Sequence, residues 1–115
     1  MDKLIINNMT WPELEAEMEH IKVALVPVGS CEQHGPNTTF ATDAARAAAY
    51  AEKLAVRCKN TVVVFPCVHY GLSLHHMFFP VTLTLHVETM MHLLVVIGVS
   101  IAQHGIRKIL SLNAH

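Results

Sequence analysis

The chain has 115 residues, 52% of them hydrophobic and 15% charged, with a net charge of −1. That balance points to one folded domain over residues 1–115 with a buried core, and it excludes a disordered chain. Near-neutrality leaves no electrostatic case for nucleic acid or an anionic membrane as a partner.

In chain order, Leu4 to Ile6 reads as a short edge strand. Thr10-Trp11-Pro12-Glu13 has the signature of a helix start, with Thr10 as cap, Pro12 in the first turn and Glu13 three residues after the cap. A short acidic outer helix is expected from there to about His20. Lys22 to Val28 is rich in valine and leucine without clean alternation, as suits a strand buried on both faces of a parallel sheet. The next stretch, PVGSCEQHGPNTTFATD from Pro27 to Asp43, breaks at Gly29 and Gly35-Pro36. From Asp43 to Arg57 the pattern is helical and rich in alanine, which allows close packing on a sheet. Thr61 to Pro66 reads as a second buried strand. Cys67 to Phe79 is a loop carrying three histidines, and Val81 to Leu85 reads as a short strand. Val87 to Gln103 is a long helix, apolar nearly all round, and so expected to be buried on several sides. Gly105 is a natural stop. Arg107 to Leu112 reads as a third buried strand.

Strand, helix, strand, helix, strand predicts an α/β fold, a three-layer αβα arrangement around a mainly parallel sheet. Ligands of such sheets bind beyond the carboxyl ends of the strands. Glu32 and His34 follow one strand end, the segment from His69 to His76 a second, and His115 a third. Glu32, His34 and Asp43 supply one imidazole and two carboxylates, donor types that suit zinc or manganese. Glu32 and His34 are two apart, so in an extended segment their side chains point the same way. Asp43 lies across a loop, at the mouth of a helix. The plainer alternative makes Glu32 and Asp43 turn and cap residues, and His34 and His115 surface residues.

Three cysteines, Cys31, Cys58 and Cys67, form no paired motif. With no signal-peptide pattern at the N-terminus, they favour a reducing, cytoplasmic setting. A structural zinc on Cys31, His34 and Cys58 or Cys67 ranks low, because the spacing is irregular. The apolar run from Leu93 to Val99 is far short of the roughly 20 residues of a membrane span.

Glu32-Gln33-His34-Gly35-Pro36, followed by Thr42-Asp43, resembles the signature of the creatininase family of amidohydrolases. The resemblance continues through Met9-Thr10-Trp11, Tyr70-Gly71-Leu72-Ser73, His76-Met77, Phe79-Pro80 with Thr82-Leu83-Thr84-Leu85, and His104-Gly105-Ile106-Arg107-Lys108-Ile109. It ends in Leu112-Asn113-Ala114-His115, similar to the opening of the family's Asn-Gly/Ala-His-Gly-Gly-Asn motif. The resemblance implies the N-terminal part of a creatininase-like domain, incomplete at the C-terminus and breaking off within that motif. It implies metal ligands at Glu32, His34, Asp43 and His115 for two divalent ions, zinc or manganese, with Asp43 bridging and a further carboxylate ligand beyond His115. It implies hydrolysis of a non-peptide C–N bond in a small amide or cyclic amide by a metal-bound hydroxide, with a small-molecule amide as partner and a homo-oligomer as the assembly. Ser73 and His76 match positions expected to touch substrate. The alternative is a truncated, non-catalytic chain that retains partial metal binding or acts only as an oligomerising subunit.

Three departures from the family pattern stand out. His75 replaces a usual acidic residue, and Asn37 to Phe40 replaces His-Leu-Pro-Leu. Val81 stands where glycine is common after Phe79-Pro80, and a β-branched residue is costly there if the backbone needs positive φ.

Overall fold

The structure is a computed structural model that describes residues 4–114. Four strands form one sheet in the order β1-β3-β2-β4, namely β1 (Leu4–Ile5), β2 (Val23–Val28), β3 (Val62–Val64) and β4 (Lys108–Asn113). Every pairing is parallel. Three helices connect them, α1 (Trp11–Glu17), α2 (Thr42–Cys58) and α3 (Val87–Gln103).

Side chains alternate across the sheet and build two cores, one per face. Leu4, Ala24, Val26 and Val63 pack on one side with Ile101 and Ile106, and with Leu14 of α1 and Ile97 of α3 against them. Leu25, Val62 and Val64 pack on the other with Ala51 and Ala55 of α2. These are the three layers expected from the sequence. The unbroken apolar run of β2 is explained by its central place, since its odd and even positions are buried against different helices.

The start of α1 is the expected reciprocal cap. Glu13 N–H donates to Thr10 Oγ1 (3.4 Å), and Thr10 N–H donates to Glu13 Oε1 (2.9 Å). Those bonds, backbone first, hold the Glu13 carboxyl below its ordinary value. In α2 the buried residues Asp43, Ala47, Ala51 and Ala55 form one stripe. Methyl side chains along it let the helix sit close to the sheet. The approach is tightest at Gly29, where a Cβ would lie 2.5 Å from the backbone nitrogen of Ala44. Only glycine fits, and the end of β2 is thereby pressed onto the first turn of α2.

Three expectations are corrected. Val81 to Leu85 is not a strand, because its only ladder contact is an isolated antiparallel bridge between Cys31 and Leu83. Instead the segment is laced to the loops after β2 and β3, with Leu83 N–H donating to Cys31 O (2.9 Å) and Leu85 N–H to Gly71 O (2.8 Å). Helix α3 has the predicted bounds but is not buried on several sides. Its inner stripe is Met90, Leu94, Ile97 and Ile101, while Met91 and Val95 are 64% and 60% exposed. It lies over the side of the sheet that ends at β4, so only one stripe finds neighbours. Strand β4 is likewise at the sheet edge, with Ile109 and Leu112 half-buried and its other residues exposed instead of a buried run. No helix among the described residues is long and apolar enough to cross a membrane.

Candidate metal centre

The site lies beyond the carboxyl ends of β2 and β3. Past Val28 the chain is held to the loop after β3 by Gly29 N–H to Val68 O (2.8 Å) and Val68 N–H to Pro27 O (2.9 Å). It then continues through an isolated bridge at Cys31 and irregular backbone to His34. Asp43 comes from the first turn of α2, and the short 3-10 turn Leu74–His76 brings the two adjacent histidines.

Glu32 and Asp43 are buried, at 2% and 3% exposure. Two enclosed carboxylates so close together repel, and each loses hydration. Asp43 is partly compensated by the Ser30 hydroxyl, which donates to its Oδ2 at 2.5 Å, and by the positive end of the α2 dipole. His34 Nε2 lies 3.3 Å from Asp43 Oδ2 and 3.8 Å from Glu32 Oε1. That nitrogen is closed off from solvent and makes no hydrogen bond among the described residues. Donors bound to one tetrahedral ion at about 2.1 Å are about 3.4 Å from each other. The His34–Asp43 distance is close to that, the His34–Glu32 distance is somewhat longer, all three donors lie within 4.8 Å of one another, and the charge of the group suits a cation.

A second group shares Glu32. His75 Nε2 and His76 Nε2 each lie 3.9 Å from Glu32 Oε2, and the two rings are 4.1 Å apart. The carboxylate common to both groups is Glu32, whereas Asp43 belongs to the first alone. His115, the fourth expected ligand, lies outside the described residues. No cysteine joins either group, and burial pushes the Cys67 thiol up, which disfavours thiolate ligation there. His20, His69, His86, His92 and His104 are all exposed, away from both groups.

Ser73 does not present its hydroxyl to the cleft. The residue is fully buried, and Oγ makes no hydrogen bond among the described residues. Its backbone does the work instead. Ser73 N–H donates to Thr84 Oγ1 (2.8 Å), and its carbonyl accepts from His76 N–H (2.9 Å), which fixes the turn carrying the histidines. The loop is packed tightly enough that a Cβ at Gly71 would come within 2.7 Å of Gly29 O. Beside the site an apolar cavity of about 750 Å³ is lined by Gln33, Pro36, Phe40, Phe79, Pro80 and Val81. Val81 has φ of +60°, the conformation in which a β-branched residue is strained.

Ser30 and Gln33, with no role expected from the sequence, both touch site residues. Gln33 stands between Glu32 and His34 and bonds a ring 43 positions later. Its place inside the motif was the available signal.

A family profile described as creatininase, creatinine amidohydrolase, matches residues 7–115. The chain belongs to the creatininase family. Among curated proteins it is 38% identical over 99 residues to a mycofactocin precursor peptide peptidase of Mycolicibacterium smegmatis, covering 83% of this chain and 40% of that protein. It is 30% identical over 108 residues to a 3-dehydro-scyllo-inosose hydrolase of Thermotoga maritima, covering 93% of this chain and 34% of that protein. Among solved structures, a creatinine amidohydrolase (creatininase) superposes with a TM-score of 0.89 at 28% identity, covering 100% of this chain and 46% of that one. A structure described as creatininase Mn gives 0.88 at 28% identity, with 98% and 46% covered. The chain therefore spans less than half the length of these creatininase-family relatives. All are hydrolases by description, and the creatininase neighbours include manganese and Zn-Zn forms.

Proposed function

We propose that this protein hydrolyses a non-peptide C–N bond in a small amide or cyclic amide, with a divalent metal held by Glu32, His34 and Asp43 and with His115 as a further ligand. The observation that carries the proposal is His34 Nε2, enclosed between two buried carboxylates with no hydrogen bond among the described residues. Zinc and manganese suit two carboxylates with an imidazole. When bound, such an ion supplies Lewis-acid polarisation of a carbonyl and acidifies a water.

The chain's own residues supply the rest. Ser30 fixes one oxygen of Asp43, and the end of α2 supports its charge. Glu32, reaching both histidine groups, orders the two sides of the cleft. His76, partly exposed beside Glu32, is placed to hydrogen-bond an amide substrate. The apolar cavity under Phe40 and Phe79 has room for the hydrocarbon part of that substrate. The cavity also favours a second reading, removal of residues from a peptide, since a side chain would fill it and one relative is described as a peptide peptidase.

The test is elemental mass spectrometry of the protein purified without chelator, for wild type and for His34→Gln and Asp43→Asn. Zinc or manganese in the wild type, lost from both variants, is the expected result. A wild type without metal, or variants that retain it in full, would sink the ligand assignment. Turnover of creatinine-like cyclic amides against short peptides then separates the two substrate readings.

A further inference from the structure

We propose that Gln33 is a positioning residue that holds His76 with its ring proton on Nε2, making His76 a hydrogen-bond donor into the cleft and not a metal ligand. Gly35, two residues after Gln33, has φ of +86°. Its backbone N–H donates to the Gln33 side chain at 2.7 Å. A backbone N–H can only donate, so the amide atom facing it is the oxygen. The NH₂ end of the same amide therefore faces His76 Nδ1, 2.9 Å away. Turning the amide over would set two donors against each other at Gly35. The side chain is also tethered at its base, because Gln33 N–H donates to Thr82 Oγ1 (3.2 Å).

An NH₂ group offers no lone pair, so His76 Nδ1 accepts and carries no proton. A neutral imidazole has one ring proton, which leaves it on Nε2. That nitrogen points toward Glu32 Oε2 at 3.9 Å. A ligand nitrogen needs a free lone pair, and metal-bound histidines commonly donate their other N–H to a carboxylate or carbonyl. His76 has the reverse arrangement. Of the two acid–histidine groups that share Glu32, the one with His76 is thus unsuited to hold an ion, despite donor atoms close enough to do so. His34 has no such amide donor on its ring among the described hydrogen bonds.

The tautomer stands on these contacts alone, and its use rests on the hydrolase reading. There the Nε2–H would donate to an amide carbonyl oxygen, where negative charge grows during attack. The experiment is a long-range proton–nitrogen correlation spectrum of the ¹⁵N-labelled, metal-free protein at neutral pH, with the His76 ring assigned by its loss in His76→Gln. Expected is an unprotonated Nδ1 and a protonated Nε2. In Gln33→Glu the carboxylate still accepts from Gly35 but can no longer donate, so the Nδ1 resonance should move to the protonated region. A protonated Nδ1 in wild type overturns the proposal even if no variant folds. An Nδ1 that stays unprotonated in Gln33→Glu overturns Gln33 as the cause. Failure to turn over any amide would count against the hydrolase reading and leave both spectra unchanged.

Discussion

Single residues carry the division between scaffold and site. Gly29 is dictated by space, since nothing larger clears Ala44. Val81 is the opposite case, a bulky residue in a conformation that glycine holds without strain. Its side chain is 75% exposed, so little burial offsets the strain. A non-glycine residue held in this region costs of order 1–3 kcal/mol. Glycine would return about 0.5–1 kcal/mol of that through its freer unfolded chain. Val81→Gly is therefore expected to stabilise the protein by about 1 kcal/mol in a urea titration. Unchanged or lower stability would mean that the valine is held by packing. The costly backbone follows from the family resemblance at this position, but the sign of φ needed the structure.

At the scale of elements, local chemistry was legible and long-range partnership was not. The capping box of α1, the bounds of α3 and the alanine stripe of α2 are written in short windows of sequence. The mistaken strand at Val81 to Leu85 has the right residue types but finds a loop for a neighbour instead of a ladder. The exposure of α3 and β4 depends on their place at the sheet edge, which no window of sequence contains. Of the candidate site, the meeting of Glu32, His34 and Asp43 was legible in their donor types together with the family resemblance. The bond from Gln33 to His76 joins distant loops and was not. The alanine stripe makes a sharp prediction. Ala51 is completely buried between α2 and the sheet. Ala51→Leu adds three carbons where the helix already touches, and overpacking of this kind costs roughly 1–3 kcal/mol. Chemical denaturation should show that loss. A neutral result would mean that α2 can lift from the sheet, and Asp43 at its first turn would then be displaced from Glu32 and His34.

For the whole molecule, the site and the fold meet in the two buried carboxylates. Glu32 lies early in the loop after β2 and Asp43 in the first turn of α2, so their repulsion acts on the packing of α2 against β2. A bound cation would remove that repulsion and bind only the folded chain, because the donors are 11 positions apart and converge through Gly29 and the helix. Linkage gives about 2.7 kcal/mol of stabilisation at a free metal concentration 100 times Kd. For a domain of this size that corresponds to a rise in Tm of roughly 10 °C. Thermal unfolding with zinc and with chelator is expected to differ by about that much in wild type. Asp43→Asn should show a much smaller difference, since it keeps the bulk of the side chain but removes the charge. Equal shifts in the two proteins would place the metal elsewhere. No shift in wild type would mean that protein groups such as Ser30, His34 and the helix end hold the carboxylates without an ion, and that the convergence beyond β2 serves the fold before it serves any chemistry.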